Sequence, residues 1–415
     1  MSSPKRVLMI GWEYPPHHSG GLGVACQGMA HALADRQHYV CFALPKKMPI
    51  SDTKVTLLYP NKKSGKVGGK EISILRELYN PYIEPSRYHS FREQSKDILD
   101  PMFVPGTLKE CVELYGVELS RELLENPIDV DIIHAHDWLC FPAAVAVKKL
   151  LQKPFIAHIH ATEFDRSGGQ GANPYVYQQE KLGMEESAHI ITVSELVKRT
   201  VINKYGIPPE KITVIHNGNT DLASKNESIF DNLITFKEKG YSIVLYAGRI
   251  TLQKGVEYFV HAAKKALEVN PKIIFIIAGT GDMERYIIEL VNNLGISSNF
   301  MFTGYYTLDD MASLLKHASL FVMPSVSEPF GIVPLEAITK DVPVIISKQS
   351  GVSEILHHAL KVDFWDTDKI ANQILAVIHH PPLHKVLREE GRRQVQDITW
   401  DKAASKIHHV YNSVL

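Results

Sequence analysis

Short apolar runs of strand character alternate with segments of helical period from one end of the chain to the other, and this alternation points to a parallel-sheet α/β architecture. In the first half the runs are Val7–Ile10, Tyr39–Leu44, Ile132–Ala135, Phe155–Ile159, Ile190–Val193 and Ile212–Ile215. The rhythm restarts in the second half with Ser242–Ala247, Ile273–Ala278, Phe300–Thr303, Leu320–Met323 and Val344–Ile346. At 415 residues the chain is too long for one ordinary core, so two doubly wound domains are expected. Residues His216 to Gly240 are polar and turn-rich, the composition of a linker. The expected division is therefore a first domain over 1–217, a linker over 218–240, a second domain over 241–396 and a closing amphipathic helix within 397–415. Residues 45–126 break the rhythm and read as an insertion in the first domain, either a mobile flap or a small subdomain over the cleft. It holds a Lys/Gly-rich tract at 61–70 and an aromatic, charged stretch from Tyr79 to Phe103.

Several partner classes are disfavoured by charge and pattern. A formal net charge of -1 gives no electrostatic reason to expect nucleic acid or an anionic membrane surface. The N-terminal run Val7–Ile10 is too short for a signal-peptide core, and no stretch reaches transmembrane length. The cysteines Cys26, Cys41, Cys111 and Cys140 fall in no paired or zinc-like spacing, which fits a reducing cytoplasm.

The chemistry is concentrated in loops at strand ends. Ser327-Glu328-Pro329-Phe330-Gly331-Ile332-Val333-Pro334-Leu335-Glu336-Ala337 places two carboxylates around a tight turn that leads from an apolar strand into a helix. Glu328 can accept from sugar hydroxyls, the amides of Phe330, Gly331 and Ile332 can face an anion, and Glu336 can reach a second diol such as a ribose. Glu336 also has a plain reading, as an acidic residue complementing the helix dipole behind Pro334. Arg249 and Lys254 flank a strand-to-helix loop, where they can neutralise a diphosphate. Gly21 and Gly23, in Ser19-Gly20-Gly21-Leu22-Gly23, open a helix whose first amides could approach a phosphate, although a simple glycine turn reads equally well. Gly281 lies in a further glycine turn, Ala278–Asp282, either lining a base pocket or serving the turn alone. No Gly-x-Gly-x-x-Gly is present, which disfavours a nicotinamide dinucleotide. Two His-x-His pairs, His134/His136 and His158/His160, could each chelate a metal, giving a metal-dependent hydrolase as the competing reading; the sequence shows no third ligand in a suitable pattern.

The turn motif resembles the Glu-x7-Glu element of the family-4 type of retaining glycosyltransferases, the large group that includes sucrose, trehalose-phosphate and lipopolysaccharide-type transferases. The resemblance covers nearly the whole chain and implies the GT-B fold, two Rossmann-like domains facing a cleft, with the closing helix crossing back onto the first domain. It also implies roles: His160 beside the anomeric carbon, Asp137 near the reacting sugar, Arg249 and Lys254 on the diphosphate, and no metal or other cofactor besides the donor. Trp12–Gly23 and His134–Trp138 are similar to segments of glycogen and starch synthases, which implies glucose, a UDP- or ADP-linked donor and an α-glucan acceptor. Glu336 departs from the classical bacterial synthases, so a sugar phosphate or a cell-surface glycan precursor stays open as acceptor. Glycoside hydrolysis is disfavoured because Glu328 and Glu336 lie on one loop-helix unit rather than across a scissile bond. A non-catalytic glycan- or nucleotide-binding role is disfavoured because Glu328, Arg249, Lys254 and His160 are all present.

Overall fold

A computed structural model describes residues 3–16, 20–47, 50–60, 107–169, 171–219 and 229–415. Seven strands form the first sheet: β1 (Arg6–Ile10), β2 (Tyr39–Ala43), β3 (Thr56–Leu58), β4 (Ile132–His136), β5 (Phe155–Ile159), β6 (His189–Thr192) and β7 (Ile212–Val214). They are ordered β3-β2-β1-β4-β5-β6-β7, and every neighbouring pair is parallel. The second sheet contains β8 (Ser242–Ala247), β9 (Ile273–Ala278), β10 (Phe300–Gly304), β11 (Leu320–Met323), β12 (Val344–Ser347) and β13 (Leu360–Val362), ordered β10-β9-β8-β11-β12-β13 and again parallel. Two Rossmann-like α/β domains face each other across a cleft.

Helices cover both faces of each sheet, which is why central strands such as Ile273–Ala278 can be apolar at every position. In each sheet the strand order reverses once, between β1 and β4 in the first and between β8 and β11 in the second. Loops leaving the carboxyl ends of those strands diverge to opposite faces and leave a crevice, the usual ligand position in open α/β sheets.

Both described ends of the expected insertion 45–126 belong to the first domain's layers. Thr56–Leu58 adds an edge strand beside β2, and Leu108–Glu125 forms a helix packed on the helix Phe141–Leu151. Gly116 permits that packing, since a Cβ there would stand 3.3 Å from the Ala143 Cα. The tract 61–70 and the stretch 79–103 lie outside the described residues, as do 220–228 of the linker. Within the rest of that linker, Ile229–Leu233 is a 3₁₀ turn and Ile234–Glu238 a short helix.

The closing helix, Trp400–Val414, starts at Thr399, whose side chain accepts from the Lys402 amide. It packs against the helix Gly21–Asp35, with a bidentate Arg36–Asp401 pair at the rim and a 2.7 Å contact between the Tyr411 hydroxyl and His134 Nδ1 beneath. Gly28 lies against the Trp400 ring, where an added Cβ would come within 2.4 Å of Cε2. Gly28→Ala is therefore expected to destabilise the protein by about 1–3 kcal/mol through overpacking, read as a lower denaturation midpoint with an unchanged slope.

Candidate active site

The two switch points face one another across a cavity of about 280 Å³. Its lining includes Gly21, Asp137 and His160 from the first domain, and Arg249, Lys254, Glu328, Phe330, Gly331, Ile332 and Glu336 from the second. Lys254 follows β8 and Glu328 follows β11, the two strands that flank the second sheet's reversal. Gly255 makes their approach possible: its φ is +65°, and a Cβ there would meet the Pro324 carbonyl oxygen at 2.0 Å. Lys254 Nζ donates to Glu328 Oε2 at 2.6 Å, and Ser325 Oγ lies 3.3 Å from the same oxygen. Glu328 is anchored through its backbone, donating to the Gln349 carbonyl at 2.9 Å and accepting from the Gly351 amide at 2.9 Å. Gly331 holds a positive φ of +98° with its Cα against Met323, the conformation that turns the loop into its helix.

In the first domain Asp137 caps the end of β4 with φ +59°, the left-handed region that Asp tolerates better than most residues. Its Oδ1 accepts from the amides of His160 at 2.7 Å and Ala161 at 3.3 Å, so it fixes the chain where β5 delivers His160. Burial pushes the Asp137 carboxyl up to about 6, with Arg166 and those two amides opposing the rise. Burial also lowers His160 to about 3, leaving its ring neutral near pH 7, and its Nε2 is 3.0 Å from His136 Nδ1.

Glu336 is 6% exposed and is pushed up to about 7 by desolvation. The unfolded chain ionises this carboxyl near 4.5, so between 4.5 and about 7 the folded state holds the proton that the unfolded state has lost. Stability from this group is thus fully present below pH 4.5 and is lost as pH rises through 7, on the order of 3 kcal/mol in all. Glu336→Gln is expected to melt higher than the parent at pH 8 and to lose that advantage below pH 4.5, as paired thermal scans would show.

Two residues expected to contact the donor are not part of the cavity lining. Gly23 does not line the cavity; its amide donates to Glu13 Oε1 at 3.1 Å in the interior. Gly281 is also withdrawn, because its Cα packs so closely on Ile250 that a Cβ would lie 2.2 Å from the carbonyl oxygen; Gly279 and Thr280 line the cavity in its place. The helix after the turn begins at Val333 with Ile332 as its N-cap.

A second cavity of about 500 Å³ adjoins the first and shares Leu22, Asp137 and Arg166 with it. Trp138 and Tyr175 stand edge to face there, with Asn173, Glu163 and Lys109 around them. Arg166 is held between Glu163 at 3.0 Å and Glu180 at 2.6 Å. Sequence reading missed this group, although the capping box at Thr162 and Asp165 was available as a signal for the short helix carrying Arg166. Contacts between the domains converge on the donor-side loop: Ser194 Oγ donates to the Pro329 carbonyl at 2.6 Å and Ser327 Oγ to Asp165 Oδ1 at 2.8 Å. Nearby, the Glu354 carboxylate accepts from the amides of Glu195 and Leu196 at the start of the helix Glu195–Tyr205.

Comparison with known proteins gives this arrangement its context. Residues 19–220 match the family Glycosyltransferase Family 4, and residues 230–394 match Glycosyl transferases group 1. The chain is a glycosyltransferase. Among its relatives, an uncharacterized glycosyltransferase of Methanocaldococcus jannaschii is 28% identical, the match covering 98% of this chain and 97% of that one. Glycogen synthase of Mycobacterium tuberculosis is 26% identical over 98% of this glycosyltransferase and 94% of its own length. The fold is shared with sucrose-phosphate synthase from Thermosynechococcus elongatus at a TM-score of 0.72, with 18% identity and 99% of each chain covered. It is also shared with the catalytic domain of starch synthase IV from Arabidopsis thaliana bound to ADP and acarbose, at 0.70, with 16% identity and 99% of each chain covered. A hydrolase built on the His-x-His pairs is overturned by these family matches. Among the described residues, no helix of the glycosyltransferase is long and apolar enough to cross a membrane.

Proposed function

We propose that this glycosyltransferase moves glucose from UDP- or ADP-glucose to an α-glucan, with retention of anomeric configuration. One observation carries the reading: the Lys254–Glu328 pair, with Arg249 beside it, faces His160 and Asp137 across a single cavity at both topological switch points. Cations on the second-domain wall suit the diphosphate, and carboxylates suit sugar and ribose hydroxyls. The relationship to a glycogen synthase supports glucose and an α-glucan.

In this reading Arg249 and Lys254 hold the diphosphate, Glu328 accepts from the glucose hydroxyls, and Glu336 accepts from the ribose. The amides of Phe330, Gly331 and Ile332 meet the sugar or phosphate, and His160 and Asp137 close the sugar site. The acceptor hydroxyl attacks C1 on the leaving-group face, the C1–O bond to the diphosphate breaks, and a departing phosphate oxygen takes the hydroxyl proton. No redox change occurs. A carboxylate that accepts from ribose works best ionised. The donor KM should therefore fall between pH 6 and 8 in the parent and stay flat in Glu336→Gln.

The second cavity favours one alternative acceptor class. Lys109 and Arg166 line it beside Trp138 and Tyr175, so a sugar phosphate is a competing occupant. Nucleotide release from UDP-, ADP- and GDP-glucose, measured with glycogen or with a hexose phosphate, separates the readings. Release stimulated by glycogen supports the α-glucan; release stimulated only by the phosphate moves the acceptor to the alternative; no release from any glucose donor removes the donor assignment.

A further inference from the structure

Buried against the first-domain wall of the cavity is a ligand set of which the proposed reaction uses only His160. Cys26, on the helix Gly21–Asp35, is 1% exposed and free, and His136, on β4, is fully buried. Together with His160, each offers one ligand atom, and those atoms lie within 4.8 Å of one another. His136 uses Nδ1 toward His160, while its Nε2 is buried without a hydrogen-bond partner. An unpartnered buried ring nitrogen is costly unless something occupies the site. Ligand atoms on a tetrahedral zinc ion stand about 3.3–3.6 Å apart, so modest side-chain rotation would close the set.

We infer that Cys26, His136 and His160 form a site for a borderline-soft divalent cation of the zinc class, and that filling it withdraws His160 from turnover. The second part rests on the reading of His160 as a sugar-site residue. Thiolate and imidazole are the ligands such ions prefer. On binding, the Cys26 thiol gives its proton to solvent and the sulfur bonds the metal, leaving one net positive charge. Asp137 and Glu13 are close enough for their charges to act on the Cys26 sulfur, and they offset that remainder. Entry is open because His160 lines the cavity.

A neighbouring trio, His134, His136 and His158, is also compact and contains a further unpartnered nitrogen, His158 Nε2, but its ligand chemistry makes it the weaker candidate. Both ring nitrogens of His134 are engaged, one with Tyr411 and one with His158, and the trio has no anionic ligand to offset a divalent charge.

The test titrates the purified full chain with Co²⁺ and then Zn²⁺, in the absence of donor, and follows the absorption spectrum. One equivalent of Co²⁺ should give a thiolate-to-cobalt charge-transfer band that Zn²⁺ abolishes. Turnover of the parent should fall with Zn²⁺ and return with chelator. Cys26→Ala should keep basal turnover, lose the band and weaken the inhibition at least on the order of tenfold. If that variant does not fold, Cys26→Ser, closer in shape, provides the same comparison. Absence of a stoichiometric thiolate band, or its persistence in the Cys26 variants, overturns the site. A band without inhibition keeps the site but overturns its link to turnover; in that case the role given to His160 fails while the donor reading, tested by nucleotide release, can stand.

Discussion

Glu328→Ala lowers turnover by about a hundred- to a thousandfold, the loss expected when a preorganised polar partner of the transition state is removed. The side chain sits at the carboxyl end of β11, and its loop is fixed by backbone bonds to Gln349 and Gly351 that the substitution leaves in place. Its position is therefore set independently of the carboxylate, and the fold should survive. Glu328→Gln should retain more activity than Glu328→Ala, because an amide oxygen still accepts from sugar hydroxyls but lacks the charge that a cationic sugar calls for. Steady-state kinetics separates these effects: kcat should fall far more than the donor KM rises. Parental kcat in Glu328→Ala would remove this residue from the reaction.

Lys254→Ala should produce a loss of similar size, and Arg249→Ala a smaller one, since in the proposed reaction both stabilise charge on a departing diphosphate. The two should not add, because each remaining cation takes over part of the other's work. Lys254 also differs from Arg249 in stability. Removing it strands the Glu328 carboxylate, whose side chain is 9% exposed against 19% for Lys254. The cost should lie between the roughly 0–1 kcal/mol of a surface pair and the 3–5 kcal/mol of a stranded buried charge. Combining Lys254→Ala with Glu328→Gln should restore part of that stability without restoring activity. A double-mutant cycle by denaturant unfolding and by kinetics measures both; a double variant less stable than Lys254→Ala alone would mean that the pair does not couple as the geometry implies.

Much of the architecture was legible in the chain because buried parallel strands write themselves as uninterrupted apolar runs. Ile273–Ala278 and Leu320–Met323 are found at the residues read from sequence. Thr56–Leu58 and Leu360–Val362 were missed because each has only three residues and lies at a sheet edge, where partial exposure weakens the pattern. The helix Leu108–Glu125 was assigned to an insertion because its place in the first domain depends on contact with Phe141–Leu151, remote in sequence. Glu328, Lys254 and Arg249 were accessible as motifs because chemistry at strand ends imposes local spacing. Gly23 and Gly281 were read as donor contacts but stand outside the cavity lining: a glycine needed for close backbone packing looks the same in sequence as one needed for a phosphate. Arg166 and Tyr175 escaped notice because the second cavity is assembled from segments that carry no motif in common. Likewise, the two His-x-His pairs form one cluster only because β4 and β5 are neighbours, a relation the sequence does not state.

The most direct measurement is proton NMR of the glucosylated product formed from the α-linked nucleoside-diphosphate glucose that supports release. A retaining transfer at the Lys254–Glu328 cleft gives a new α-anomeric signal, whose growth matches nucleotide release and is lost in Glu328→Ala. A β-linked product, or an α-linked product formed equally well by Glu328→Ala, would contradict the account.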